Sequence, residues 1–240
     1  MKKHKMNDIK IINILGGGWV SASGFGKLSE KQNFNLSSGL PQIPKAKEIF
    51  SEPLTRYGRF DQYTKLGCAA IALALKDAGL EESKEKRPIG VIVSTVYECF
   101  ESDMVFYETT KDDDGFFSSP NLFSYTLPGI VIGESAIYFK LTGPTFTVGD
   151  AFDQIGRNAL ITGLEILKSG VCDTVVAGWL DGPTEIFKRF EKEDNQKRGA
   201  IFVVLSSCKS TNIYGHIYLK NGLPYFESGR EIQSVLDLIM

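Results

Sequence analysis

The chain has little of what enzymes use for acid–base or nucleophilic work near neutral pH. Only two of its 240 residues are histidine, His4 and His216. His4 stands in a basic N-terminal stretch, Met1-Lys2-Lys3-His4-Lys5, expected to fray. His216 falls in an alternating run, 213–219, where a solvent-facing strand position is the plain reading. Neither has a Cys, Ser or carboxylate partner fixed by spacing, so a Cys–His or Ser–His–Asp machine is poorly supported. The four cysteines, at 68, 99, 172 and 208, are widely spaced and form no CxxC. A disulfide scaffold and a zinc site both fall away, leaving small buried thiols in a reducing compartment. A GxxxxGK[ST] phosphate loop is missing. Glycines 16–18 and Gly24-Phe25-Gly26 lack both the GxGxxG spacing and a following helix.

Other absences bound the environment. No apolar run reaches the roughly 20 residues of a membrane span. The basic start is not followed by an apolar stretch and cleavage site, so no signal peptide is read. Charge is nearly balanced, 27 basic residues against 29 acidic for a net of -2. That excludes a broad nucleic-acid or anionic-membrane surface. A cytoplasmic chain without cofactor or metal is expected.

What is present is an ordinary globular composition, 42% hydrophobic and 23% charged. Apolar strand-like runs alternate with helical patterns. Residues 9–15 read as a strand running into a glycine turn at 16–18, and 21–57 as a long loop, functional or packed on another chain. Asp61 can cap a helix with Leu66, Ala70 and Leu73 on its face and Gly79 as its stop. Residues 89–93, 145–148, 173–177 and 200–205 read as further strands, the last added antiparallel at an edge. Residues 97–118 and 129–141 suggest helices. The pattern of 154–169 is apolar over much of its girth, so that helix is expected to be buried on more than one side. A hairpin at Asn221-Gly222 and an amphipathic helix around Ile232, Val235, Leu236 and Ile239 close the chain. The class is α/β, with helices on both faces of the sheet. Asp112-Asp113-Asp114 has no second ligand group nearby and reads as a solvated turn.

The stretch from Gly143 to Gly178 is the most specific. A strand ends near Asp150-Ala151 and turns directly into a helix. A group there meets helix N-terminal amides, which stabilise an anionic nucleophile or an oxyanion. A thiol would be a catalytic candidate, but the residues present are Phe152, Asp153 and Gln154. Asp153 suits an N-cap.

Several runs resemble one family. Arg59-Phe60-Asp61-Gln62-Tyr63-Thr64, with Ala69 to Leu73 and Asp77-Ala78-Gly79-Leu80, resembles the first helix of β-ketoacyl synthases, in the thiolase superfamily. Ser119 to Phe123, Leu127-Pro128, Gly133 to Ile137 and Leu141-Thr142-Gly143-Pro144 resemble that family's approach to its nucleophile strand. Lys168-Ser169-Gly170-Val171-Cys172-Asp173 and Val175-Val176-Ala177-Gly178 resemble the family's segment just beyond the nucleophile helix. The resemblance covers about residues 9 to 205. It implies a thiolase-like half-fold in a single domain over 1–240, with a mixed five-stranded sheet, a buried central helix, and 206–240 as a C-terminal hairpin and helix.

Departures from the pattern shape the functional expectation. The family's elbow reads roughly Thr-Ala-Cys-Ser-Ser. Counting back from Ser169-Gly170 puts Asp153 at the cysteine position, and counting forward from Gly143-Pro144 puts Phe152 there. Neither is a cysteine, and Cys172 lies a whole helix downstream. Gly129 replaces the family's usual Asn, and Trp179 replaces a Gly, which suggests a filled acyl site. The catalytic His or Asn residues of the family's C-terminal half have no counterpart.

The resemblance therefore implies a non-catalytic, chain-length-factor-like subunit. It would pair with an active ketosynthase in fatty-acid, polyketide or polyene-type biosynthesis. Thr145, Phe146, Thr147, Val148, Phe123 and Tyr125 are the implied interface or acyl-tunnel residues. The aromatics of 97–125 fit equally well in the chain's own core. Two alternatives stay open: a self-associating binder of acyl groups or acyl carrier protein, and an acyl decarboxylase or transferase using Asp153 or Glu134.

Overall fold

The computed structural model describes residues 9–30, 34–36, 39–111, 115–182 and 197–239. The N-terminal tail with His4, the acidic triplet 112–114 and the stretch 183–196 lie outside these described residues. In chain order the elements are β1 (Ile11–Ser21), β2 (Gly24–Lys27), α1 (Ala46–Ile49), α2 (Gln62–Asp77), β3 (Ile89–Thr95), α3 (Phe100–Glu108) and α4 (Pro120–Ser124). Then come α5 (Ile130–Phe139), β4 (Thr145–Gly149), α6 (Arg157–Ser169), β5 (Thr174–Asp181), β6 (Gly199–Ser206), β7 (Gly215–Lys220) and β8 (Leu223–Phe226).

The strands form one mixed sheet in the order β4-β3-β5-β6-β1-β7-β8, with β2 also paired to β1. β3 runs parallel to both β4 and β5, and the remaining pairs are antiparallel. Among the described residues the sheet thus has eight strands rather than the expected five. The additional three are two hairpin partners and one distant strand: β2 folds back locally on Gly18–Ser21 of β1, while β7 pairs at long range with Ile11–Ile14 and carries β8 as its hairpin partner. A hairpin's local sequence carries no record of the distant strand that receives it. β6 is antiparallel as expected, but it lies inside the sheet between β5 and β1, buried along its whole length. The Asn221-Gly222 turn is as expected, with both residues at positive φ.

Glycines 16–18 do not turn the chain; they continue β1 beneath α2. A Cβ on Gly18 would stand 2.4 Å from the Ala74 nitrogen, and one on Gly16 2.6 Å from the Ala78 nitrogen. The missing side chains let helix and strand approach closely. On the edge of β1 between the stretches paired to β7 and to β2, the Gly17 amide donates instead to Asp77 Oδ2 at 3.0 Å.

α2 starts where expected, with Asp61 accepting from the Thr64 amide at 2.8 Å. It is the helix buried all round, every residue from Leu66 to Leu75 being inaccessible. Its run of alanines and the single Gly67, where a Cβ would meet Val131 at 2.4 Å, let the sheet and α5 pack closely on several sides. α6, expected to be the buried one, covers the opposite face through Ala159, Leu160, Leu164 and Leu167. It leaves Glu165, Lys168 and Ser169 exposed. The C-terminal segment forms only a 3-10 turn, Val235–Leu238, instead of an amphipathic helix. That turn closes over the start of α6, with the Val235 amide bonded to the Ile155 carbonyl at 2.8 Å and Arg157 ion-paired with Glu231. Among the described residues no helix is long and apolar enough to cross a membrane.

Candidate functional site

The parallel strands β3, β4 and β5 end side by side, and the chain turns from β4 into α6 above them. The link, 150–156, ends at Gly156, which caps α6 with φ 75°. A Cβ there would meet Val235 at 2.5 Å, so glycine is needed on two counts. The strand and helix on either side are continuous, so the one-residue difference between the two sequence counts falls within this link.

The carboxylate that organises the link is Asp150, not Asp153. Asp150 accepts from Ser94 Oγ at 2.9 Å, from the Gly156 amide, and from the Asn158 amide at 3.2 Å. Asn158 returns a bond to the Gly149 carbonyl at 2.8 Å. The expected N-cap at Asp153 is therefore corrected: at that point the chain has turned outward and its side chain is exposed. Burial pushes the Asp150 carboxyl above its usual range, against the lowering effect of its donors.

A second buried carboxylate lies at the end of β5. Asp181 accepts from Thr95 Oγ1 at 2.7 Å, from the Tyr97 and Val96 amides at 2.8 and 3.0 Å, and from Trp179 Nε1 at 2.6 Å. Burial still pushes its carboxyl up to about 6. Sequence reasoning missed both Asp150 and Asp181. The available signal was position: each carboxylate stands at the C-terminal end of a parallel strand, β4 or β5. All the bonds of both go to donors within the chain, so they read as anchors of the strand ends.

Phe152 is 69% exposed and its ring meets Tyr97 edge-on, centroids 5.6 Å apart. Beneath it Trp179 is fully buried and leaves a void of only about 70 Å³, bounded also by Val96, Ile155 and Asp181. Such a void is well below the roughly 300 Å³ of a small ligand pocket. The indole occupies the space that a smaller residue would leave open.

The described cysteines that shift do so away from reactivity. Burial holds the Cys68 and Cys99 thiols up at about 12 and also raises Cys172, the opposite of an activated thiolate. His216 is half-buried on β7, its Nδ1 2.9 Å from Asn13 Oδ1. Glu134 sits on α5, on the other face of the sheet from α6, and pairs with Arg56 at 2.6 Å. The structure thus does not bring Glu134 to Asp153. Among the described residues no group of three or more His, Cys, Asp or Glu is placed to hold a metal.

The implied interface residues divide. β4 is the sheet's edge, pairing with β3 alone among the described strands. Thr145 and Phe146 are exposed, Thr147 and Val148 half-buried. The elements preceding this edge carry exposed Tyr107, Phe116, Phe117, Phe123, Leu127 and Ile137. Tyr125 is different: 6% exposed, it belongs to the chain's own core and packs beside Phe60.

The profile of the β-ketoacyl synthase N-terminal domain matches residues 40–188. The fold is similar to the ishigamide ketosynthase/chain length factor, with a TM-score of 0.66 and 18% identity over 87% of this chain and 62% of that one. A β-ketoacyl synthase from Burkholderia phymatum STM815 gives 0.65 and 17% identity, over 87% of this chain and 63% of that one. A ketosynthase in complex with its chain length factor from Xenorhabdus doucetiae gives 0.58 and 12%, over 81% and 78%. The chain thus spans under two thirds of the length of the first two structures. No curated protein matches it.

Proposed function

The chain belongs to the β-ketoacyl synthase family through its N-terminal domain, and on that premise we propose that it is a non-catalytic, chain-length-factor-like subunit. In this reading it pairs with an active ketosynthase in polyketide, polyene or fatty-acid-type biosynthesis, in the cytoplasm. The observation that carries the reading is the β4–α6 junction. It presents Phe152 and Asp153 where the family's thiol is expected, and Trp179 fills the space below. An exposed phenyl ring cannot form an acyl thioester, and an exposed carboxylate cannot either.

Pairing is supported by the open edge of β4. An edge strand displays unpaired backbone donors and acceptors, and flanking apolar side chains add area that a partner would cover. Phe146 supplies such area on the strand itself, and Phe123 and Ile137 are exposed on α4 and α5. Acyl carrier protein would then meet the assembled pair. A self-paired binder of acyl groups is the rival, because the same edge could join a second copy by a twofold axis.

Light scattering after size exclusion separates the two. The chain is to be run alone and after co-expression with the ketosynthase encoded nearest to it. A one-to-one complex, lost on Phe146→Asp, is the expected result. A homodimer that ignores the synthase removes the basis of the partner-subunit reading.

A further inference from the structure

Beyond β8 the chain crosses back over the start of α6. Glu231 bridges to Tyr225, the Ile232 amide donates to the Pro224 carbonyl at 2.9 Å, and the 3-10 turn Val235–Leu238 follows. Ile232 and Val235 are fully buried there, in the core that Ile155, Ala159 and Trp179 share. Two polar contacts fasten the segment to α6. Glu231 ion-pairs with Arg157, a residue only 9% exposed, and the Val235 amide donates to the Ile155 carbonyl. Leu236, Leu238 and Ile239 are only partly buried.

The segment seats on the left-handed Gly156, which lies between it and Trp179. A Cβ on Gly156 would stand 2.5 Å from Val235 Cγ1 and 3.4 Å from Trp179 Cβ. The amide of the same Gly156 donates to Asp150, which also holds the Asn158 amide and, at the end of β3, Ser94 Oγ. A contiguous series of contacts thus runs from Val235 through Gly156 and Asp150 to Ser94. A close-packed interior passes a displacement on, so lifting Val235 removes the wall that holds Gly156 against the carboxylate.

We infer that residues 231–239 act as a strap that locks the β4–α6 junction. Docked, the strap keeps Gly156 in its left-handed turn and Asp150 on the helix-start amides. Lifted, it frees the 150–156 link to change shape while the sheet stays folded. Its build suits local opening: a single 3-10 turn has few internal hydrogen bonds, and β6 beneath it is held by β5 and β1 without its help. A partner surface that takes hold of Leu236, Leu238 and Ile239 reaches the junction by this route. The inference rests on these contacts and stands whether or not the chain pairs with a ketosynthase.

Amide hydrogen exchange of the full chain, read residue by residue, tests it. Glu231→Gln removes the charge that Arg157 answers. It should speed exchange of the Val235, Gly156 and Asn158 amides together, by about tenfold, while Val93 in β3 and Val176 in β5 stay within about twofold of wild type. Val235→Ala keeps the ion pair but trims the wall at Gly156; it should give the same pattern and serves if the first variant does not fold. Faster exchange at Val235 with Gly156 and Asn158 unchanged overturns the inference, because strap and junction are then uncoupled. Equal acceleration at all five amides overturns it too, since the strap then opens only with the whole fold. So does a Val235 amide that neither substitution affects.

Discussion

The Trp179 indole N–H donates to the Asp181 carboxylate across 2.6 Å, two residues along one strand and so on the same face of the sheet. This pair closes the end of β5. It ties a bulky filler to the carboxylate that gathers the Thr95 hydroxyl and the Val96 and Tyr97 amides. The ring that stands over the junction, Phe152, leans on Tyr97 and so on the same carboxylate's scaffold.

Asp181 contributes a pH dependence to stability. Burial raises its folded-state pKa from 3.8 to about 6. Between those values the folded chain holds a proton that the unfolded chain has released. Stability attributable to this group therefore increases as pH falls through that window, by roughly 1 kcal/mol per pH unit, and is lost above it. Asp150 is shifted in the same direction and contributes with the same sign. Urea midpoints from pH 4 to 7 should show a shallower slope in Asp181→Asn than in the wild type. Equal slopes would mean that Asp181 does not titrate in this range.

Asp150→Ala should destabilise by about 2 kcal/mol, because it strips a buried hydroxyl and two helix-start amides of their acceptor. Asp153→Ala, at an exposed site, should stay within about 0.5 kcal/mol of wild type. Thermal melts of the two variants decide which aspartate organises the junction; equal losses would contradict the assignment.

Gly18→Ala and Gly133→Ala should move stability in opposite directions. At Gly18 the new methyl meets backbone atoms of α2 at 2.4 and 2.6 Å, so the helix must shift, at a cost of about 3 kcal/mol. At Gly133, inside α5, nothing stands within 4 Å. Alanine there should gain roughly 0.5–1 kcal/mol by its helix propensity. A tolerated Gly18→Ala would show that β1 and α2 are not in the close contact described.

Charge placed at Ile137 and Val148 separates core from interface. Ile137 is 68% exposed, so Ile137→Asp should leave the melting temperature of the lone chain nearly unchanged while weakening association with a partner. Val148 packs against the α6 side of the core, so Val148→Asp should lower the melting temperature by itself. An Ile137→Asp chain that associates as before would place the interface elsewhere.

Much of the fold was legible because its signals are local. The Asp61 cap, the apolar runs of β3 and β5 and the Asn221-Gly222 turn each depend on neighbours within a few residues. The errors share one cause. Gly16 to Gly18 looked like a turn because the helix they accommodate comes some 60 residues later, as Asp77 bonded to Gly17 shows. Asp153 looked like a cap by spacing, but a left-handed Gly156 delays the helix and leaves Asp150 to reach its amides.

The candidate site divides along the same line. The amino-acid sequence by itself determined the α/β class, the family and the absence of a thiol at 152 and 153, since each is a matter of residue identity and order. Tertiary structure alone decided that Trp179 fills the space under Phe152, that Tyr125 belongs to the core and that β4 is an open edge. Burial and pairing arise between segments far apart in the chain, and whether a buried polar atom has a partner depends on which distant groups the fold sets beside it.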